Sequence, residues 1–190
     1  MSALTGRVAL ITGASRGIGF AIARRFAAEG AAVVLCASRM GAHGKLQGTL
    51  EGAVETINAA GGKAAAVACD LTDTSARAEL VSRAADAFGP VDILVNNAAG
   101  STMRLPSEVS TAQRNFMFDL NVNVPIELAQ QAIPGMRERG AGWILNISSR
   151  TCEQPVVPYR DSAMAAHVIA AYGASKGAVL SFTRALAVEY

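Results

Sequence analysis

The chain has 190 residues, the size of one domain with a substantial core. It is 51% apolar and only 17% charged, which excludes a disordered chain, and a net charge of +2 with scattered arginines leaves no basis for a nucleic-acid surface. No uninterrupted apolar run is long enough to span a bilayer, and Met1 to Arg7 lacks a secretory pattern. Three cysteines (Cys36, Cys69, Cys152) form no CxxC pair, so reduced thiols in a cytoplasmic protein are expected, not a disulfide framework or a metal site.

Arg7 to Thr12 is a short apolar run that reads as a buried strand. It enters Gly13-Ala14-Ser15-Arg16-Gly17-Ile18-Gly19 and then a helix from about Ile18 to Glu29, with Ala21, Ile22 and Phe26 inward. Strand, glycine turn and helix are the context of a phosphate-binding loop. Gly13 allows the turn, Gly17 the approach of a pyrophosphate, and Gly19 close packing of helix on sheet. Ala31 to Ala37 reads as the second strand. An acid at its end would bind ribose hydroxyls, whereas an arginine accommodates a 2′-phosphate. The residues there are Ser38 and Arg39, Arg16 stands in the glycine loop, and no carboxylate is present, so NADP (NADPH) is favoured and NAD is less so.

Met40 to Gly48 reads as a loop, Thr49 to Ala60 as a helix with Leu50, Val54 and Ile57 inward, and Lys63 to Cys69 as the third strand. Asp70 follows it, placed to bond a nucleotide base or to cap a turn. Thr72-Asp73-Thr74 caps one helix running to about Phe88, with Leu80, Val81 and Ala84 inward. Val91 to Val95 is the fourth strand and leads into Asn96-Asn97-Ala98-Ala99-Gly100, where the asparagines brace backbone between strands or form a turn. A helix is expected within Ser107 to Phe118. Leu120 to Arg139 is a long helical stretch with an irregularity, because it holds Asn121, Pro125 and Pro134. Trp143 to Ile147 is the fifth strand and ends at Ser148-Ser149. This alternation predicts a doubly wound parallel sheet, a Rossmann fold of three α/β/α layers in one NAD(P)-binding domain over 1–190. Ligands on such sheets bind beyond the strand C-terminal ends, where Gly13, Arg39, Asp70, Asn96 and Ser149 all fall.

Tyr172-Gly173-Ala174-Ser175-Lys176 opens the last helical segment. Residues four apart on a helix share a face, and an ammonium beside a phenol favours the phenolate. Tyr172 and Lys176 are therefore a candidate acid/base pair, with the phenol pKa expected below its ordinary value near 10.

Taken together, Thr12 to Gly19, Asp70, Asn96 to Gly100, Asn121, Ser148-Ser149 and Tyr172-x-x-x-Lys176 resemble the short-chain dehydrogenase/reductase family, of the ordinary single-domain type, in its own motif order. The resemblance implies an oxidoreductase that moves a hydride between a nicotinamide and a carbonyl or secondary alcohol carbon. It implies Tyr172 as general acid/base and Ser149 as the group holding the substrate oxygen. Lys176 would bind the nicotinamide ribose, and Asn121 would anchor a relay water. The implied cofactor contacts are Gly13, Ser15, Arg16, Gly17, Ile18, Gly19, Ser38, Arg39, Asp70, Leu71, Asn97, Ala98, Ala99, Tyr172 and Lys176. A homodimer or homotetramer through Leu120–Arg139 and Tyr172–Tyr190 is also implied, with no membrane partner.

Three features depart from the family. Ser149 and Tyr172 stand 23 residues apart, several more than usual, so Arg150 to Ala171 reads as an enlarged substrate-side loop with a short helix over Met164 to Ala170. Ser148 competes with Ser149, and alignment on the strand end favours Ser149; Tyr159 competes with Tyr172 but has no lysine four residues on. Met40 to Gly48 is a lengthened loop. The chain stops at Tyr190, inside a helix, where the family continues into further strands, so a C-terminally incomplete domain with an exposed fifth strand is expected. The competing function is a dinucleotide-binding module without turnover; an epimerase or dehydratase is the third reading.

Overall fold

The structure is a computed structural model, and it describes residues 2–42, 47–102, 108–153 and 170–190. In chain order the elements are β1 (Val8–Thr12), α1 (Gly17–Ala28), β2 (Ala32–Ala37), α2 (Leu50–Ala59), β3 (Lys63–Ala68), α3 (Thr74–Ala78) and α4 (Leu80–Phe88). They continue with β4 (Ile93–Asn96), α5 (Thr111–Phe118), a π-helical turn (Asp119–Asn123), α6 (Val124–Glu138), β5 (Trp143–Asn146), a 3-10 turn (Arg150–Cys152) and α7 (Ala170–Glu189). Two compact units are distinguished, Met1–Ala98 with Glu127–Leu145, and Ala99–Ile126 with Asn146–Tyr190.

The first unit is built on the sheet, whose order is β3-β2-β1-β4-β5. β1 pairs in parallel with β2, from Val8 opposite Ala32 to Thr12 opposite Cys36, and with β4 on its other side. All five residues of β1 are buried, as are all four of β4, which is why these strands read as continuous apolar runs without alternation. Chain order reverses between β1 and β4, and in sheets of this kind ligands bind outside the strand C-terminal ends at such a reversal.

Two helix details differ from the sequence expectation. The buried face of α1 is Gly19, Ala23 and Ala27, while Ala21 is exposed and Ile22 and Phe26 are half-buried. Small residues at four-residue spacing let the helix axis approach the sheet, and the larger side chains flank the contact. The segment 74–88 is two helices that meet at Glu79, not one. The break leaves Arg77 in the interior, with Nη1 donating to Leu71 O at 3.0 Å and Nε and Nη2 donating to the Glu127 carboxylate at 2.6 and 2.8 Å. Asp73 caps α3 by accepting the N–H groups of Ser75 and Ala76. β5 is the sheet edge, with Trp143 and Leu145 exposed by 46% and 39%.

The second unit consists of α5, the π-helical turn, the start of α6, the 3-10 turn and α7. Ser110 and Gln113 form a capping box that starts α5. Where a continuous α-helix would run through Asp119–Asn123, the wider turn carries the buried Asn121, so the expected irregularity falls at that residue. Most of the enlarged loop, including Tyr159 and the helix expected over Met164 to Ala170, lies outside the described residues, as does His43.

Candidate active site

The glycine loop of the first unit is fixed by an asparagine. Asn97 Nδ2 donates to Thr12 O at 2.9 Å and to Gly13 O at 3.1 Å. Thr12 Oγ1 in turn accepts the N–H groups of Asn97 and Ala98 at 3.0 and 3.1 Å. Gly13 has φ of +65°, and a Cβ on Gly19 would sit 2.5 Å from Gly13 O, so neither position tolerates a side chain. α1 then begins at Gly17 with no side-chain cap, and a Cβ on Gly17 would meet open space. The first N–H groups of this helix thus face an open approach, an arrangement that fits an anionic pyrophosphate. Ser15 is nearly buried, Ile18 is 63% exposed, and Arg16 Nη1 donates to Gln47 O at 3.3 Å.

At the ends of β2 and β3, Ser38, Arg39 and Asp70 are exposed, and Leu71 is buried. Asp70 accepts the N–H and the hydroxyl of Thr72 at 3.0 and 2.8 Å, so it does cap a turn. Those bonds, with the Arg39 charge as a smaller cause, hold its carboxyl below the usual range. Cys36 and Cys69 share a hydrogen bond that, with burial, holds the Cys36 thiol protonated, a pairing that their separation in sequence hides.

The second unit brings together Asn121, Ser149, Tyr172 and Lys176. Asn121 Oδ1 accepts Gly100 N–H at 2.7 Å, and its Nδ2 donates to Gly100 O at 2.9 Å and to Ser175 Oγ at 3.0 Å. Ser175 Oγ donates to Tyr172 O at 2.7 Å. The Lys176 ammonium is 5.9 Å from the centre of the Tyr172 ring and donates to Ile147 O at 2.7 Å. The Ser149 hydroxyl is the neighbour that acts on the Tyr172 phenol, lowering its pKa against the rise that burial causes. Ser148 faces elsewhere, donating to Lys176 O at 3.0 Å, which separates the two candidate serines. Ser175, which lies in α7 and bonds Asn121, and Thr151, which bonds Ser149, escaped the sequence reading because a lone serine or threonine carries no spacing signal.

One expectation is corrected. Burial raises the Tyr172 pKa, and the hydrogen bond from Ser149 only partly opposes it. The Lys176 ammonium donates to Ile147 O, and burial pushes its own pKa down.

A parallel sheet reversed between β1 and β4, with a glycine turn at the reversal, defines a Rossmann-type α/β protein. The chain belongs to the short-chain dehydrogenase family, whose model, described as short chain dehydrogenase, matches residues 7–190. It is 37% identical over 189 residues to the ketoacyl reductase HetN of a Nostoc strain, covering 100% of this chain and 60% of that protein. It is 39% identical over 145 residues to a hydroxysteroid dehydrogenase-like protein 2 of Bos taurus, covering 76% of this chain and 35% of the relative. Among solved structures, a metagenomic short-chain oxidoreductase in complex with NADP superposes with a TM-score of 0.83 at 35% identity, covering 99% of this chain and 78% of the other. A 3-oxoacyl (acyl-carrier-protein) reductase from Agrobacterium tumefaciens with NADP bound gives 0.84 at 33% identity, covering 98% and 66%. Among the described residues, no helix is long and apolar enough to cross a membrane.

Proposed function

We propose that the protein is an NADP-dependent oxidoreductase interconverting a carbonyl compound and a secondary alcohol, with Tyr172 as general acid/base. The observation that carries this reading is the Tyr172 phenol with Ser149 acting on it and the buried Lys176 ammonium 5.9 Å from the centre of its ring. The open N-terminus of α1 would hold the pyrophosphate, Asp70 and Leu71 the adenine, and Arg16, Ser38 and Arg39 the 2′-phosphate. NADP in the two solved relatives supports the same cofactor. The bound dinucleotide supplies the hydride.

The protein's own groups handle the proton and the charge. Reduction of a ketone builds negative charge on oxygen, and the Tyr172 phenol would give that oxygen its proton. The Ser149 hydroxyl donates a second hydrogen bond to the same developing charge. Lys176 would hold the nicotinamide ribose. Asn121 braces the π-helical turn, and the backbone there, outside the α-helical ladder, would hold a relay water that returns the proton to Tyr172. Association into a homodimer or homotetramer is part of this reading.

NADPH oxidation measured across a panel of ketones, with Tyr172→Phe as the control, tests it. Loss of turnover in the variant is expected, with NADPH still bound. Equal rates would remove Tyr172 from the chemistry. NADPH binding with no oxidation of any ketone would favour a binding module without turnover.

A further inference from the structure

We propose that Thr151 is a positioning residue for Ser149: its hydroxyl and backbone N–H hold the serine Oγ as a donor whose single proton is turned to the Tyr172 side, to the phenol in the free protein and to the substrate oxygen once substrate is bound. The inference rests on the acid/base reading of Tyr172 and adds a residue to it. A serine hydroxyl has one proton and two acceptor positions, and it rotates to suit its surroundings. Here Ser149 Oγ accepts the Thr151 hydroxyl at 2.9 Å and the Thr151 N–H at 3.3 Å. With both acceptor positions taken up by one neighbour, the serine proton is left to point the other way. That agrees with the sense in which the serine acts on the phenol, lowering its pKa as a donor does. Thr151 Oγ1 donates to Ser149 Oγ and so strengthens the serine as a donor towards the phenol. No proton leaves Thr151; the residue sets direction and strengthens the serine as a donor.

The backbone fixes this arrangement independently. Ser149 is extended, with φ of −150° and ψ of 145°, and stands at the start of the 3-10 turn over Arg150–Cys152. That turn packs against α7 at Gly173, where a Cβ would lie 3.1 Å from Thr151 O. Gly173 follows Tyr172 directly, so the residue that holds the serine also rests on the turn of helix that carries the tyrosine. The consequence is a serine that offers a proton and accepts none from the substrate side. Such a group favours an oxygen that gathers negative charge, as the carbonyl oxygen does during reduction.

Three proteins test the proposal: wild type, Thr151→Val, which keeps the shape and the N–H but removes the hydroxyl, and Thr151→Ser, which restores it. Two quantities are read in each, kcat for ketone reduction against pH and the ultraviolet titration of the Tyr172 phenol, with Tyr172→Phe subtracting the other tyrosines. Lys176, the charged group facing the same ring, is unchanged throughout. In Thr151→Val a weaker serine donor stabilises the phenolate less, so the phenol titration and the alkaline limb of kcat move to higher pH. kcat falls about tenfold, with the KM for NADPH unchanged. Thr151→Ser recovers both. A Thr151→Val protein whose phenol titrates where the wild type does overturns the proposal whatever its turnover, as does a loss that Thr151→Ser fails to repair. Wild-type turnover in Tyr172→Phe would instead overturn the acid/base reading, and the proposal with it.

Discussion

Asn121 closes both hydrogen-bonding groups of one backbone residue: its Oδ1 takes the Gly100 N–H at 2.7 Å, and its Nδ2 gives to the Gly100 carbonyl at 2.9 Å. Asn121 is 1% exposed, so water does not replace these bonds in a truncated variant. We expect Asn121→Ala to cost about 3 kcal/mol of stability, since each buried group left without its partner costs about 1–3 kcal/mol. Asn121→Asp can still accept from Gly100 but cannot donate, and should fall between. Urea denaturation checks this, and a loss under about 1 kcal/mol would mean that the turn repacks.

The buried phenol predicts a pH profile. On the proposed reading Tyr172 gives its proton during reduction, and burial raises its pKa above the ordinary value near 10. The reduction rate should therefore hold level through neutral pH and fall only as pH rises through the phenol pKa. Oxidation of the alcohol needs the ionised form and should climb over the same range. Rates that fall between pH about 6 and 8 in both directions would assign the limb to another group.

Gly173 sets one helix contact against one propensity. Alanine is favoured over glycine inside a helix by about 0.8–1 kcal/mol. The added Cβ would lie 3.1 Å from Thr151 O, so the 3-10 turn must give way by a few tenths of an ångström. Stability of Gly173→Ala is predicted to change by less than about 1 kcal/mol, because the two effects oppose. Its kcat should fall, because the displaced turn carries Ser149. A melting curve and a turnover measurement on the same preparation separate the two effects, and an unchanged kcat would show that the turn yields without moving the serine.

Arg77 is 2% exposed and held by both oxygens of Glu127. Removing one partner of a buried pair leaves a charge without its counterion, a cost of about 3–5 kcal/mol when both are fully buried. Glu127 is 38% exposed, so Glu127→Ala should cost less, about 2–3 kcal/mol, with Glu127→Gln recovering part of it. Guanidinium denaturation of the three proteins decides this, and wild-type stability in Glu127→Ala would show that the other partners of Arg77 suffice to hold it.

The cofactor preference has its own test. Arg39→Asp replaces a cation by an acid at the end of β2, and we expect it to shift the ratio of NADPH to NADH affinity towards NADH by about tenfold or more. Parallel titrations with the two cofactors measure the ratio. An unmoved ratio would remove Arg39 from the 2′-phosphate site.

The strands were legible because a parallel sheet buried on both faces demands continuous apolar runs, and Arg7 to Thr12 or Val91 to Val95 can serve no other purpose. The glycine loop was legible because Gly13 and Gly19 answer local steric demands that no other residue meets. Tyr172 and Lys176 were legible as neighbours through helical spacing, and Asn121 as an irregularity through the prolines near it. All of these signals are local in the chain.

What the sequence determined alone, then, was the order of the elements and the chemical types gathered in them, since backbone sterics and burial act over a few residues at a time. The tertiary structure decided which groups meet and in what state. Only folding turned Ser148 to Lys176 O, set Thr151 on Ser149, split the helix at Glu79 to sink Arg77 against Glu127, and brought the free thiols of Cys36 and Cys69 side by side. It also reversed the expected direction for the Tyr172 phenol, because a pKa depends on the whole surroundings of a group and burial raises this one.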